Sequence, residues 1–296
     1  MEYSHSELSK HFWDGKDEKG ENGKQYKLDR EGIEHALLRA LGDFTPRTEE
    51  LKPGKHLELK QMLKKLVDDY DYVGKFFSFF NNDVLYKNEE SFDNWHNDRC
   101  IEFLNCFNGY FKNGLAYGKA QKIVNMTFKG IYCLQGAEDY EDFFEFCHMP
   151  LDSLTLEWFY RAGKSDSKRM NINGEKICRN RISPWSKLQN KDTYDKNDHL
   201  MYNYSDIQKA IRKYFENTGW TSLTAEFLIW PQIQLELAAE SLFSQLTNLD
   251  PQNTAPFKKA EKDFKALTTK EKLDFLQEKI GEIDNFIYGD VNQKRK

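Results

Sequence analysis

The sequence predicts an all-α fold, a helical domain followed by a helical C-terminal appendage. Apolar residues recur three and four positions apart through most of the chain. β signals are few and short. Seven prolines and 17 glycines in 296 residues are too few for the turns of a many-stranded sheet. With 22 phenylalanines, 15 tyrosines and six tryptophans, general disorder is ruled out.

Residues 1–29 are polar and read as an N-terminal arm. Periodicity begins at Arg30, where Ile33, Leu37, Leu38 and Leu41 form one stripe that Gly42 ends. Residues 57–80 read as a second helix, with Met62, Leu66, Tyr70, Val73 and Phe77 on its apolar side, and 92–111 as a third. Glycines 109, 114 and 118 punctuate the link to a fourth helix over 119–134. An acidic-aromatic piece follows at 138–146, then a helix over 151–161 with Pro150 near its start, a favourable place for proline. Residues 163–199 read as loop. Ser205 and Thr221 read as caps of two further helices. The domain spans 30–245, and the appendage, 246–296, holds charged helices over 255–267 and 269–287.

The net charge of −5 excludes a protein that coats nucleic acid non-specifically, since such binding needs a basic surface. Nucleic acid would have to be held by a local patch. The five cysteines, Cys100, Cys106, Cys133, Cys147 and Cys178, are odd in number and never spaced as CxxC, so neither a disulfide framework nor a zinc site is expected. No apolar run approaches ~18 residues, so no membrane span is expected. The N-terminus lacks the pattern of a secretory signal, which makes a cytoplasmic location the expectation. No Walker loop or GxGxxG occurs, and no cofactor or metal is called for.

The segment from Tyr117 to Cys133 is the most unusual. On a helical wheel Val124, Phe128 and Ile131 mark one side, while Lys122 and Lys129 share the other with Met126 and Cys133. A helix apolar on both sides is packed on both sides. A lysine there is desolvated, which favours the neutral amine and hence nucleophilic chemistry, against the ordinary alternative of lysines snorkelling to water. About thirty residues on stands His148-Met149-Pro150-Leu151-Asp152, where Asp152 falls in the first turn of a helix. A carboxylate there complements the helix dipole, or stabilises a cation and relays a proton.

A glycine-punctuated hairpin, a lysine-bearing helix and a Pro-x-Asp helix start together resemble the helix-hairpin-helix DNA glycosylases, over about residues 92–231. The spacing of Lys122 and Lys129, with Pro150-Leu151-Asp152, is most similar to the archaeal 8-oxoguanine glycosylase branch. It also resembles bacterial phage-defence glycosylases that remove glucosylated hydroxymethylcytosine. The resemblance implies a helix-hairpin-helix glycosylase-like domain and a monomer acting on double-stranded DNA with a modified base. A lysine would attack the sugar C1′ with help from an aspartate, leaving an abasic site. The common hairpin places its lysine two positions after the second glycine. Here that position is Ala120, so Lys119 and Lys122 both compete for the role.

Lys122 and Asp152 are therefore the expected catalytic residues. Gln121, Asn125, His148 and Trp95 are the expected base contacts, with glucosylated hydroxymethylcytosine ahead of 8-oxoguanine because a buried hexose needs amide and imidazole partners. Between Arg161 and Lys187 eight basic residues face two acidic ones. Arg161, Lys164, Lys168, Arg169, Arg179 and Arg181 in this stretch, with Gly118, Lys119 and Lys129, are the expected DNA contacts. Two rivals stand beside this reading. Arg30 and His35 match the Arg-x4-His pattern of HEPN-type RNases, and an all-α chain is equally suited to a non-enzymatic interaction module.

Overall fold

The computed structural model describes residues 26–44, 51–81, 88–165, 170–249 and 255–266, together with His5. Two compact units divide at residues 227 and 228. The first holds α1 (Arg30–Gly42), α2 (Leu59–Asp68), α3 (Tyr72–Phe79), α4 (Glu89–Phe107), α5 (Tyr117–Tyr132), α6 (Ser153–Ser165) and α7 (Tyr204–Phe215). Two small antiparallel hairpins fall between α6 and α7: β1 (Asn171–Ile172) with β2 (Glu175–Lys176), and β3 (Thr193–Tyr194) with β4 (Leu200–Met201). The all-α expectation holds, with β1 to β3 inside the stretch read as loop and β4 just after it.

The helix read over 57–80 is two helices. Asp71 takes a left-handed conformation, φ 48°, and its carboxylate accepts from the Gly74 N–H, so it caps α3 instead of continuing α2. Aspartate competes for nearby backbone N–H groups in this way, which a periodicity count does not register. Helix α4 begins three residues earlier than read, because the Asn88 side chain accepts from Ser91 and two glutamates occupy the first turn. Asn203, not Ser205, caps α7 through the Asp206 N–H.

The unit is built around α5. Helix α1 crosses it where Gly130 meets Ala36; a Cβ on Gly130 would sit 2.9 Å from the Ala36 Cβ, so glycine is what lets the two backbones close. On another side Phe128 joins Phe76, Phe79, Phe92 and Trp95 in a cluster of tilted and edge-to-face rings, with centroids 5.0–5.7 Å from Phe128. Gly118, near the start of α5, lies against the short 3-10 turn Trp185–Lys187. A Cβ there would fall 1.7 Å from the Trp185 carbonyl oxygen.

Helix α8 (Ser222–Leu249) crosses the boundary between units. Thr221 caps its start reciprocally with Thr224. Pro231 lies inside the helix and has no N–H for the carbonyl four residues back. The residue near 245 at which the appendage was expected to begin falls within α8. Of the second unit, α9 (Ala255–Ala266) matches the charged helix read over 255–267. The helix read over 269–287 lies outside the described residues, as does most of the arm.

Candidate active site

All sixteen residues of α5 are described, and among them Lys122 alone is not buried. This bears out the inference that the helix is packed on both sides. Lys122 Nζ donates to Asp152 Oδ2 at 2.7 Å, and the two side chains are 14% and 13% exposed. The chain between them is folded so that a lysine within one helix meets the residue that caps another.

Asp152 stands at the cap of α6 rather than in its first turn, because the helix begins at Ser153, two residues later than read. Its Oδ1 accepts from the Leu154 and Thr155 N–H groups at 2.9 and 3.0 Å. The Thr155 hydroxyl accepts in return from the Asp152 N–H at 2.9 Å. One carboxylate oxygen is thus committed to the helix and the other to the lysine. Burial alone would raise the Asp152 carboxyl, but the Lys122 cation and the two backbone donors outweigh it and hold the group below the usual carboxylate range. Asp152 is a carboxylate at neutral pH.

A polar network lies behind the pair. His148 Nε2 donates to Asp93 at 2.8 Å, which leaves Nδ1 to accept from the Tyr204 hydroxyl at 2.8 Å. The Tyr204 oxygen accepts from Asn125 Nδ2, which also reaches Gln121 Oε1, both at 2.9 Å. His96 Nε2 donates to Asn125 Oδ1 at 2.8 Å. Arg212 closes the outer end against Asp93 and Glu89. Burial pushes His148 down to about 4, against the pull of Asp93, and pushes His96 well below the usual histidine range. Both imidazoles are neutral at pH 7. Burial would raise Asp93 as well, but the bonds from His148 and Arg212 hold it far below its ordinary value.

This network corrects part of the expected site. Gln121, Asn125 and His148 are buried, and their amides and ring are bonded to protein groups, so in this structure they shape the site from behind and present no polar atom to a base. Trp95 belongs to the aromatic cluster, with the Arg99 guanidinium 5.2 Å from its ring centre.

The expected DNA contacts are also redistributed. The Gly118 N–H donates to the Leu188 carbonyl at 2.9 Å, so it is not offered to a phosphate. Lys119 is buried, its Nζ 5.0 Å from the Trp185 ring centre and 6.0 Å from that of Phe44. Lys129 is buried against Glu226 of α8, with the Phe227 ring 4.8 Å away. In the basic stretch Arg161 and Arg179 share Glu157, and Arg181 pairs with Glu175 at 2.9 Å. Arg179 stays 54% exposed over the Tyr160 ring. Lys168, Arg169 and the side chain of Lys164 lie outside the described residues.

Gln208, Tyr204, His96 and Asp93 were missing from the sequence reading. Their partners are 29 to 108 residues away, beyond the reach of any local pattern. The reciprocal cap was within reach, since Asp152-x-x-Thr155 is a capping spacing. Of the RNase pattern, Arg30 pairs with Asp71 and His35 stacks on Tyr26 at 4.0 Å.

The chain matches no protein-family model, no curated protein and no solved structure.

Proposed function

We propose that the protein is a DNA N-glycosylase that removes a modified base and leaves an abasic site. One observation carries the reading: the single accessible residue of a buried helix is a lysine, and it is hydrogen-bonded to a carboxylate fixed at a helix cap. Base excision through a covalent intermediate needs an amine near the sugar and a group to move its proton.

Asp152 Oδ2 takes a proton from the Lys122 ammonium, and the freed Nζ pair bonds to C1′. The C1′–N bond to the base breaks, its electron pair leaves with the base, and the proton held by Asp152 follows. Ring opening then carries a proton from the new secondary ammonium to the ring oxygen and leaves an iminium, which water hydrolyses to the abasic sugar and the free lysine. Once its proton has left with the base, the ionised Asp152 stabilises the positive charge on the lysine–sugar adduct.

Lys122 is favoured over Lys119 in this role, because Lys119 is enclosed by Trp185 and Phe44. The substrate proposed is a base in double-stranded DNA, glucosylated hydroxymethylcytosine ahead of 8-oxoguanine. That order rests on the resemblance to phage-defence glycosylases, since the amides once expected to meet a hexose are bonded within the protein.

The test is incubation with T-even phage DNA, with and without its glucosyl groups, and with 8-oxoguanine duplexes, scoring abasic sites. Sites confined to glucosylated DNA are expected. Sites confined to the oxidised duplex would move the substrate, and none on any DNA would end the reading.

A further inference from the structure

The residues just before Asp152 are held in an unusual way. Met149, Pro150 and Leu151 are buried and belong to no helix or strand. Buried backbone needs hydrogen-bond partners, and here side-chain amides supply them. Gln208 of α7 donates from Nε2 to the Met149 carbonyl at 2.8 Å and accepts the Met149 N–H at 3.2 Å. Gln121 of α5 donates to the Leu151 carbonyl at 2.9 Å and accepts the Leu151 N–H at 3.3 Å. Each glutamine thus pairs with one residue at both its donor and its acceptor, as a neighbouring strand would. Pro150, between them, has no N–H to satisfy, and its carbonyl accepts from Thr155 at 3.3 Å. Every backbone polar group from Met149 to Leu151 is therefore bonded.

We infer that Gln121 and Gln208 are positioning residues, a two-point clamp that sets Asp152 against Lys122. The inference rests on the glycosylase reading for its function, and on these bonds for its geometry. Gln121 lies one residue before Lys122 on the same helix, so the clamp measures the position of Asp152 from the backbone that carries the lysine. Gln208 ties the far end of the segment to a different helix. Both amides are fully buried. A catalytic pair must be held to within about 0.5 Å, and a misplacement of about 1 Å costs ~10²-fold in rate. A clamp of four bonds on a three-residue segment gives that control without touching the substrate.

Gln208 is the cleaner probe, since Gln121 neighbours the lysine. Gln208→Leu removes both bonds at similar volume. Gln208→Glu keeps the acceptor for the Met149 N–H and replaces the donor, which isolates the bond to the Met149 carbonyl and serves if the leucine variant does not fold. Two readouts apply to full-length protein of unchanged circular dichroism. The first is the carboxyl carbon of Asp152 followed by NMR against pH. Its titration is expected to move up toward the ordinary carboxylate range in the variant, as the contact with Lys122 loosens. The second is kcat and KM on glucosylated phage DNA, where kcat is expected to fall ~10²-fold with KM within about twofold. An unmoved Asp152 titration in a folded Gln208 variant would overturn the clamp. The NMR result decides this even if the wild-type protein excises no base, an outcome that would count against the glycosylase reading alone.

Discussion

Two lysines seven residues apart on α5 each pair with a carboxylate, and the two pairs differ in how far they are closed off from solvent. Lys122 and Asp152 are 14% and 13% exposed, whereas Lys129 and Glu226 are 8% and 1% exposed. Asp152 is further tied through Oδ1 by two backbone N–H groups, and these bonds do not depend on the lysine, which meets Oδ2. Lys129 is shut in by Glu226 and the Phe227 ring, and its charge has nowhere to go. Two lysines of one helix thus yield a pair left partly open to solvent and a pair closed between helices.

The largest effect expected is on catalysis. Lys122→Gln should abolish base excision, with circular dichroism and melting temperature little changed. Full activity in this variant with a dead Lys119→Gln would transfer the role to Lys119. Asp152→Asn comes next. Asparagine is as good a helix cap as aspartate, so α6 should survive while excision slows ~10²-fold or more. A variant that loses stability and keeps its rate would reduce Asp152 to a cap.

The enclosed pair should respond the opposite way. Lys129→Met strands a buried carboxylate and is expected to cost about 3–5 kcal/mol of stability, with activity per folded molecule retained. Adding Glu226→Leu should restore most of the loss, read by denaturant unfolding. A stable, inactive Lys129→Met would erase the distinction between the two pairs.

The site's support carries its own pH signature. His148 titrates at about 4 in the fold against 6.5 ordinarily, so between those values the unfolded chain binds a proton that the folded chain refuses. Its contribution is complete above pH 6.5 and is lost as pH falls toward 4, by on the order of 1.4 kcal/mol per pH unit. His148→Gln should flatten this part of the stability profile, and an unchanged slope would place the titration elsewhere.

How much of this was legible in the sequence follows from the range of each interaction. The burial of α5 could be read because apolar residues mark both sides of its wheel, and Asp152 could be read because proline and aspartate signal a helix start within a few residues. The break at Asp71 was missed because a side-chain cap competes with periodicity over three residues. Lys129 was misread because burial depends on α8, almost a hundred residues on. The glutamine clamp was invisible for the same reason. Gln121 and Gln208 carry no pattern of their own, and only the fold brings them to one segment.

The smallest effect concerns the basic stretch. Arg179 and Arg181 already face glutamates. Replacing both with glutamine should flatten the salt dependence of DNA binding by about one unit of log–log slope for each arginine that reaches a phosphate. No change in slope would take the patch out of the DNA footprint.

The central claim is that the Lys122 amine bonds to the sugar. Borohydride reduction during reaction with glucosylated phage DNA, followed by peptide mapping, tests it most directly. A reduced sugar adduct is expected on the peptide that carries Lys122, absent in Lys122→Gln. Abasic sites that accumulate with no adduct, or an adduct on Lys119, would contradict it.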